Sequence, residues 1–299
     1  MSHGPIVSVV VIFLNEEQFL AEAIESVLAQ TFISWELVLA DDGSTDGSTQ
    51  IARRYADTYP DRIRYAEHDG HENRGMSATR NLGVARARGR YVAFLDADDV
   101  WVPRTLEEQV AVLESHPRVA MVYGRVQRWY SWTGDAADAR RDSMRDLVVP
   151  PDRVIEPPAL CPLLIQDRGV PSGILVRREV LDRVGGFEAG FRGMYEDNAF
   201  LFKVCLRHAV FPSGRSWYRY RKRDDSSCAN VVRSGRYPAT RQEFLRWAEQ
   251  YVSAQGVEDR EIRQALRDEQ RRARRQAWPE FRRRIRGLLR RAVSAPDAR

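Results

Sequence analysis

Long apolar runs are missing from this 299-residue sequence, and cysteine is scarce. The longest apolar stretch, PIVSVVVIFL at 5–14, has about half of the roughly 20 residues needed to cross a bilayer, so a membrane-spanning protein is not expected. No secretory signal pattern opens the sequence. Cys161, Cys205 and Cys228 match no zinc-binding spacing and cannot all pair as disulfides. With 43% hydrophobic residues, the sequence predicts a globular cytoplasmic protein.

Two common phosphate-binding motifs and a strongly basic body are also absent. No G-x-G-x-x-G follows the first apolar run and no G-x-x-x-x-G-K-[ST] occurs anywhere, which argues against dinucleotide and P-loop binding. The net charge is +5, but residues 256–299 hold 14 Arg and 7 Asp or Glu, so the preceding residues sum to −2. The body therefore needs no polyanionic partner, and nucleic acid binding is not expected.

Short apolar runs alternate with segments of helical periodicity over the first 124 residues. This alternation predicts an α/β fold with a mostly parallel central sheet, whose ligands bind beyond the carboxyl ends of the strands. Asn15 is predicted to cap the first helix. Residues 131–162 are predicted to be a long surface excursion, and residues 173–187 a strand followed by a short helix. The predicted strands of the first part are 6–13, 35–40, 62–66, 91–95 and 119–124.

Three carboxylates follow the fourth predicted strand in YVAFLDADDVW, residues 91–101. Like charges so close together raise each other's pKa unless a cation lies among them. Asp96 and Asp98 are therefore predicted to bind Mg²⁺ or Mn²⁺, which with so few protein ligands would also bind phosphate oxygens. The alternative is that the three acids only cap the helix starting near Pro103, a role that suits Asp99.

The turn DDGSTDGS at 41–48 also lies at a strand end. A carboxylate there could accept hydrogen bonds from ribose hydroxyls or a pyrimidine N–H. The alternative is a tight turn that needs Asp, Gly and Ser for its backbone conformation alone.

Several of these motifs, in this order and spacing, resemble the family 2 glycosyltransferases of GT-A fold. The resemblance covers roughly residues 5–225 and rests on the segments quoted above, on ENRGMSATRNLGVARARG at 72–89, and on GGF and YEDNAFLFKV near 185–204. It implies a three-layer α/β/α sandwich that transfers a sugar, with inversion, from a nucleotide diphosphate sugar to an acceptor hydroxyl. A UDP-sugar is the expected donor, and the acceptor would be a glycan, a lipid-linked sugar or a small molecule.

The resemblance also implies domain limits. Residues 1–225 would form the catalytic domain, with a nucleotide-binding half at 1–124 and an acceptor-binding half at 125–225. Residues 226–299 would form a helical, Arg-rich extension.

Carried over residue by residue, the resemblance assigns roles within the predicted site. Asp42 would hold the nucleotide base, Asp98 the metal, and Asp96 the metal together with the ribose and diphosphate. Asp197 would be the general base, with Glu196 beside it; the alternative is that both acids only stabilise the first turn of their helix. Arg74, Arg80 and Ser172 complete the predicted donor site, although Arg80 could equally lie on a helix surface.

The sequence departs from the family pattern between residues 218 and 230. A histidine is common in this segment of the family, where it can serve the metal or the phosphates. This chain has Arg221, Lys222, Arg223, Asp224 and Asp225 there instead, so the resemblance does not carry a metal ligand over to this segment. Two other functions are compatible with the motifs: a noncatalytic nucleotide-binding protein of the same fold, and a nucleotidyltransferase.

A basic amphipathic helix is predicted at 279–293. Its apolar stripe would pack on the catalytic domain or, as the alternative, contact an anionic membrane surface at the inner face of the membrane.

Overall fold

A computed structural model describes residues 4–275 as one mixed sheet with helices on both faces. The strands are β1 Val7–Phe13, β2 Trp35–Asp41, β3 Ile63–Glu67, β4 Tyr91–Asp96, β5 Val100–Trp101, β6 Val119–Trp129, β7 Ser143–Arg145, β8 Leu175–Arg177 and β9 Ala209–Arg221. The helices are α1 Leu20–Leu28, α2 Ser48–Thr58, α3 Met76–Arg86, α4 Thr105–Ser115, α5 Ala136–Ala139, α6 Cys161–Ile165, α7 Arg178–Val184, α8 Glu196–Arg207, α9 Ser227–Arg233, α10 Tyr237–Ala254 and α11 at 260–275.

The sheet order is β3-β2-β1-β4-β8-β6-β9-β5, with β7 beside β6. Six strands point the same way, while β5, β7 and β8 run against them. The register places Phe13 opposite Asp41 and Ile12 opposite Asp96. The acidic turns after β2 and β4 therefore meet at one edge of the sheet, and the predicted α/β fold with a mostly parallel sheet is confirmed.

Strand β1 is buried on both faces, as its mostly apolar run, interrupted only by Ser8, predicts. Val9 and Val11 pack into a cluster with α1, α2 and α4, whereas Val10 and Ile12 pack into a second cluster with α7, α8 and α10. The alternation of side chains along a strand thus produces the two helical layers that enclose the sheet.

A buried ion cluster closes the opposite edge of the sheet, at the start of β1 and β2. Glu36 accepts hydrogen bonds from Ser8 Oγ at 2.6 Å, Arg64 Nη2 at 2.6 Å and Arg88 Nε at 2.9 Å. Burial opposes its ionisation, but the hydrogen bonds from Ser8 and Arg88 and the charge of Arg64 lower the pKa of Glu36. This carboxylate therefore ties three segments together away from the acidic turns.

The predicted role of Asn15 as the cap of the first helix is wrong. Asn15 has a left-handed backbone, with φ 55°, and its side-chain oxygen accepts a hydrogen bond from the Thr45 amide at 2.7 Å. Helix α1 begins only at Leu20, after a turn closed by the carbonyl of Glu16. The Asn15 side chain instead joins the first loop to the turn after β2.

The second half contains more structure than the sequence predicted. Strand β6 extends five residues past the predicted end at 124, and the excursion at 131–162 contains β7 and α5 and reaches the start of α6. Strand β9 was not predicted, yet it pairs with β6 along most of its length, with register shifts near Gly124. These strands build the second half of the sheet around the acidic edge.

The predicted helical extension consists of α9, α10 and α11 within the described residues. Phe244 of α10 and Ile262 of α11 are fully buried in the same cluster as Phe200 of α8. No helix of residues 4–275 is long and apolar enough to span a bilayer. The amphipathic segment at 279–293 lies outside the described residues, and the domain limits at 124 and 225 stay predictions.

Candidate active site

A cavity of about 740 Å³ opens at the carboxyl ends of β1 and β4. Of the predicted site residues, it brings together Asp42, Arg80, Asp96, Asp98, Ser172, Glu196 and Asp197. Its size lies within the range of small-molecule sites. The cavity therefore contains the carboxylates that the sequence predicted for the site.

Asp98 faces an arginine across the turn between β4 and β5. Arg223 Nη1 lies 3.2 Å from Asp98 Oδ2 and 2.6 Å from Glu16 Oε2, and the guanidinium also makes a two-pronged contact with Asp225. Burial raises the pKa of Asp98 to about 7, reinforced by the charges of Asp96 and Glu16 and opposed by Arg223. Arg223 is shared by Glu16, Asp98 and Asp225, so it does not neutralise Asp98 alone.

Asp99 has a structural role. It is 2% exposed, and its Oδ1 accepts a hydrogen bond from the Arg221 amide at 2.8 Å. Helix α4 begins at Thr105 without a side-chain cap, so the alternative that Asp99 caps this helix is wrong. Asp99 instead holds the end of β9 against the acidic turn.

Arg80 connects two of the predicted site carboxylates. Its Nη2 lies 2.9 Å from Asp96 Oδ1 and its Nη1 lies 3.0 Å from Asp197 Oδ1, while its side chain is only 5% exposed. Burial alone would lower the pKa of Arg80, but the charges of Asp197 and Asp96 raise it. Arg80 is thus buried at the floor of the cavity, and the alternative of a helix-surface residue is wrong.

The two acids at the start of α8 differ in their surroundings. Glu196 is 3% exposed and folds back to accept a hydrogen bond from the Gly193 amide. Asp197 keeps 53% of its side chain exposed at the cavity. Enclosure raises the pKa of Asp197, with Arg80 opposing and Asp96 adding to the shift. Asp197 is therefore the acid with an accessible carboxylate.

Asp42 lines the cavity and also fixes the loop before α3. Its carboxylate accepts hydrogen bonds from the amides of Arg74 and Gly75 and from Thr79 Oγ1 at 2.8 to 3.0 Å. The Arg74 side chain points elsewhere and pairs with Glu72 at 3.1 Å on the surface. Arg74 thus meets the site through its backbone amide, not its guanidinium.

Sequence reasoning did not find the side of the cavity formed by β6, β7 and β9. Arg128, Arg145, Tyr218 and Tyr220 line it. The alternation in WYRYR at 217–221 is the signal that could have indicated a strand with one ligand-facing side. Ser172 also lies here, with its Oγ 3.4 Å from Arg145 Nη2.

No three His, Cys, Asp or Glu side chains within residues 4–275 form a complete metal site. Asp96 and Asp98 nonetheless fit a partial one, because two carboxylates in an under-neutralised turn would leave further positions to phosphate oxygens and water.

A mixed sheet with carboxylates at its strand ends is the architecture of the GT-A glycosyltransferases, and solved structures of this class share it. The mannosyltransferase PcManGT from Pyrobaculum calidifontis, solved with GDP-Man and Mn²⁺, has a TM-score of 0.58 at 22% identity, over 90% of this chain and 70% of that one. S. aureus TarS 1–349, solved with UDP-GlcNAc, has a TM-score of 0.57 at 22% identity, over 75% of this chain and 60% of that one.

The chain belongs to glycosyl transferase family 2, whose family model matches residues 8–165, just over half of the sequence. The putative glycosyltransferase EpsE of Bacillus subtilis (strain 168) is 45% identical over 122 residues, which is 41% of this chain and 43% of EpsE. The chain thus spans less than half of the length of this curated relative. The predicted family is confirmed, while Ser172, Glu196 and Asp197 lie outside the matched segment.

Proposed function

We propose that the protein is an inverting glycosyltransferase that uses a nucleotide diphosphate sugar, with a UDP-sugar as the expected donor. The observation that carries this proposal is the pair of contacts from Arg80 to Asp96 and to Asp197. They place a carboxylate suited to a metal–diphosphate complex and an accessible candidate base in one cavity. Membership of the family and the nucleotide sugars bound by TarS and PcManGT support the donor class.

Asp98 and Asp96 would hold Mn²⁺ or Mg²⁺ together with the donor diphosphate. When bound, the ion would supply Lewis-acid stabilisation of the leaving diphosphate. Within the turn, Asp99 fixes the backbone through the Arg221 amide, so the two candidate ligands are presented from a rigid position. Arg223 contacts Asp98 at 3.2 Å and would compete with a metal ion for this carboxylate.

Asp197 would act on the acceptor. The acceptor oxygen forms a bond to the anomeric carbon as the bond from that carbon to the diphosphate breaks. The hydroxyl proton passes to the Asp197 carboxylate, and the electron pair of the broken bond leaves with the nucleoside diphosphate. General base catalysis of this kind contributes typically about 10²- to 10⁴-fold. Arg80 holds the carboxylate in place and opposes the rise of its pKa, which favours the ionised form.

Asp42 would bind the nucleotide base with the part of its carboxylate left free by the loop before α3. Ser172 would line the donor pocket, and Arg74 would contribute only its amide, through Asp42. The acceptor would be a glycan, a lipid-linked sugar or a small molecule. A cytoplasmic location and membrane contact through 279–293 stay predictions.

Nucleotide binding and product analysis test this function. Thermal unfolding with UDP and GDP, each with and without Mn²⁺, should give the largest shift with UDP and Mn²⁺; a ligand at 100 times its Kd stabilises by about 2.7 kcal/mol. Turnover of a UDP-sugar should release UDP. Release of pyrophosphate would indicate a nucleotidyltransferase, and binding without turnover on any acceptor tested would favour a noncatalytic protein.

A further inference from the structure

Three cations share one face of the second half of the sheet. Arg145 of β7 pairs in register with Val126 of β6, and Arg128 lies two residues along β6 from Val126, so both side chains occupy the same face. Lys222 continues this face from Tyr220, with its amide bonded to the Trp129 carbonyl at 3.0 Å. All three cations line the active-site cavity. We call Arg128, Arg145 and Lys222 the basic patch.

The basic patch forms no ion pair among residues 4–275, since no carboxylate of this part of the chain lies within 4.0 Å of any of its three cations. Arg145 donates to the Val170 carbonyl at 2.6 Å and to Ser172 Oγ at 3.4 Å. These partners orient the guanidinium but carry no net charge. The other two arginines of the cavity contrast with this, because Arg80 and Arg223 each contact at least two carboxylates.

Such an arrangement attracts an anion. Arg145 and Lys222 are partly buried and Arg128 is exposed, and positive charges on one side of a cavity attract a phosphate or carboxylate that lies between them. Guanidinium groups bind such oxyanions through two parallel hydrogen bonds. The patch therefore has the chemistry of an oxyanion site that the chain itself leaves unfilled.

The donor diphosphate has its own proposed position at Asp96 and Asp98, on the acidic side of the cavity. The basic patch lies on β6, β7 and the end of β9, beside Tyr218 and Tyr220. Tyr218 is buried, and Lys222 Nζ lies 5.0 Å from the centroid of the Tyr220 ring, so the two tyrosines form a wall beside the cations. An anionic group bound by the patch is therefore additional to the donor diphosphate.

We propose that the basic patch binds a second anionic group of a substrate, a phosphate or a carboxylate. This inference rests on the proposed function, because it assumes that the diphosphate occupies the acidic side. The group could belong to the acceptor, as a sugar or polyol phosphate, or to the donor, as the carboxylate of a uronic acid. The chemistry recognised is the same in both cases.

Two binding comparisons separate these sources. For the acceptor, sn-glycerol 3-phosphate and neutral glycerol are titrated into the protein saturated with UDP and Mg²⁺. For the donor, UDP-glucuronate is compared with UDP-glucose in the presence of Mn²⁺. We expect one anionic probe to bind at least 10-fold more tightly than its neutral counterpart, with a preference that shrinks as salt is added.

Single substitutions then assign the preference to the patch. Arg128→Gln and Lys222→Gln should each weaken the anionic probe about 3- to 10-fold and leave UDP binding unchanged. Arg145→Gln should weaken the probe by a similar factor, but Arg145 also contacts Ser172 of the proposed donor pocket, so UDP binding is compared only for the other two variants. Arg219→Gln is the matched control, because Arg219 lies on β9 between Tyr218 and Tyr220 and is exposed on the other face. Of these variants, Arg128→Gln is expected to keep the fold, since the Arg128 side chain makes no hydrogen bond within the described residues.

The outcomes are distinct. Failure of both UDP and GDP to bind the unaltered protein with either metal would refute the proposed function. Tight UDP binding with no preference for either anionic probe, or a preference that Arg219→Gln removes equally, would overturn only the basic-patch inference. Patch substitutions that weaken UDP itself as much as the probes would also overturn it, because the cations would then serve the donor diphosphate.

Discussion

Replacing Asp197 by Asn removes the proposed base and keeps the shape of the side chain. The amide introduced by Asp197→Asn retains an oxygen that can face Arg80, and Arg80 retains its 2.9 Å contact with Asp96. Since the Asp197 side chain is 53% exposed, we expect the free energy of unfolding to fall by about 1 kcal/mol or less. Loss of a general base should lower the turnover rate about 10²- to 10⁴-fold, which is about 2.7 to 5.5 kcal/mol in the barrier.

The assay separates catalysis from binding. UDP release under saturating donor and acceptor gives kcat, and titration of UDP with Mn²⁺ gives the donor Kd, which should change less than about 3-fold. Asp182→Asn is the matched control, because it removes an exposed carboxylate of α7 away from the cavity. A kcat within 10-fold of the unaltered protein, with the fold intact, would remove Asp197 from the role of base.

Three further predictions concern other charged residues, two at the site and one at the opposite edge of the sheet. Glu196→Gln should keep kcat within about 10-fold of the unaltered protein, because Glu196 accepts a hydrogen bond from its own loop. It should lower the free energy of unfolding by about 1 kcal/mol, measured by denaturant unfolding. Glu36→Gln should lower the free energy of unfolding by about 2 kcal/mol at pH 7. The pKa of Glu36 is lower in the folded protein than in the unfolded chain. Its contribution to stability is therefore complete above the unfolded pKa near 4.3 and is lost as the pH falls through the lower folded pKa. Between about pH 5 and 2, the variant should thus lose less stability than the unaltered protein. Arg223→Gln should tighten Mn²⁺ binding in the absence of nucleotide at least 3-fold, because it removes a cation 3.2 Å from Asp98. Electron paramagnetic resonance at pH 8 measures this binding.

Each of these has a contradicting result. A loss of turnover in Glu196→Gln equal to that in Asp197→Asn would mean that the pair acts as a unit. Equal acid sensitivity of Glu36→Gln and the unaltered protein would mean that Glu36 is not the titrating group. Weaker Mn²⁺ binding in Arg223→Gln would mean that the arginine supports the metal site instead of competing with it.

The first half of the fold could be predicted from the sequence because its signals are local. The mostly apolar run of β1 indicates a strand buried on both faces, and the position of Asp96 at the end of a similar strand indicates the ligand edge. Strand β9 was missed because Pro212 and Gly214 interrupt it and its outward side chains are polar. Its assignment depends on pairing with β6, which no local pattern encodes.

The interior of the site was less predictable for the same reason. Arg80 lies on a helix of low amphipathicity, and its burial depends on Asp197, which is distant in sequence. The structural role of Asp99 depends likewise on the Arg221 amide. The sequence indicates which residue types are present at the strand ends, whereas the contacts on which their proposed roles rest join distant segments.

The dependence of UDP binding on Mn²⁺ and on Asp98 tests the central claim most directly. Isothermal titration of UDP should show binding with Mn²⁺ that weakens at least 10-fold when the metal is chelated, and at least 10-fold in Asp98→Asn. Equal affinity for UDP under all three conditions would contradict the claim that the carboxylates after β4 hold a metal–diphosphate complex.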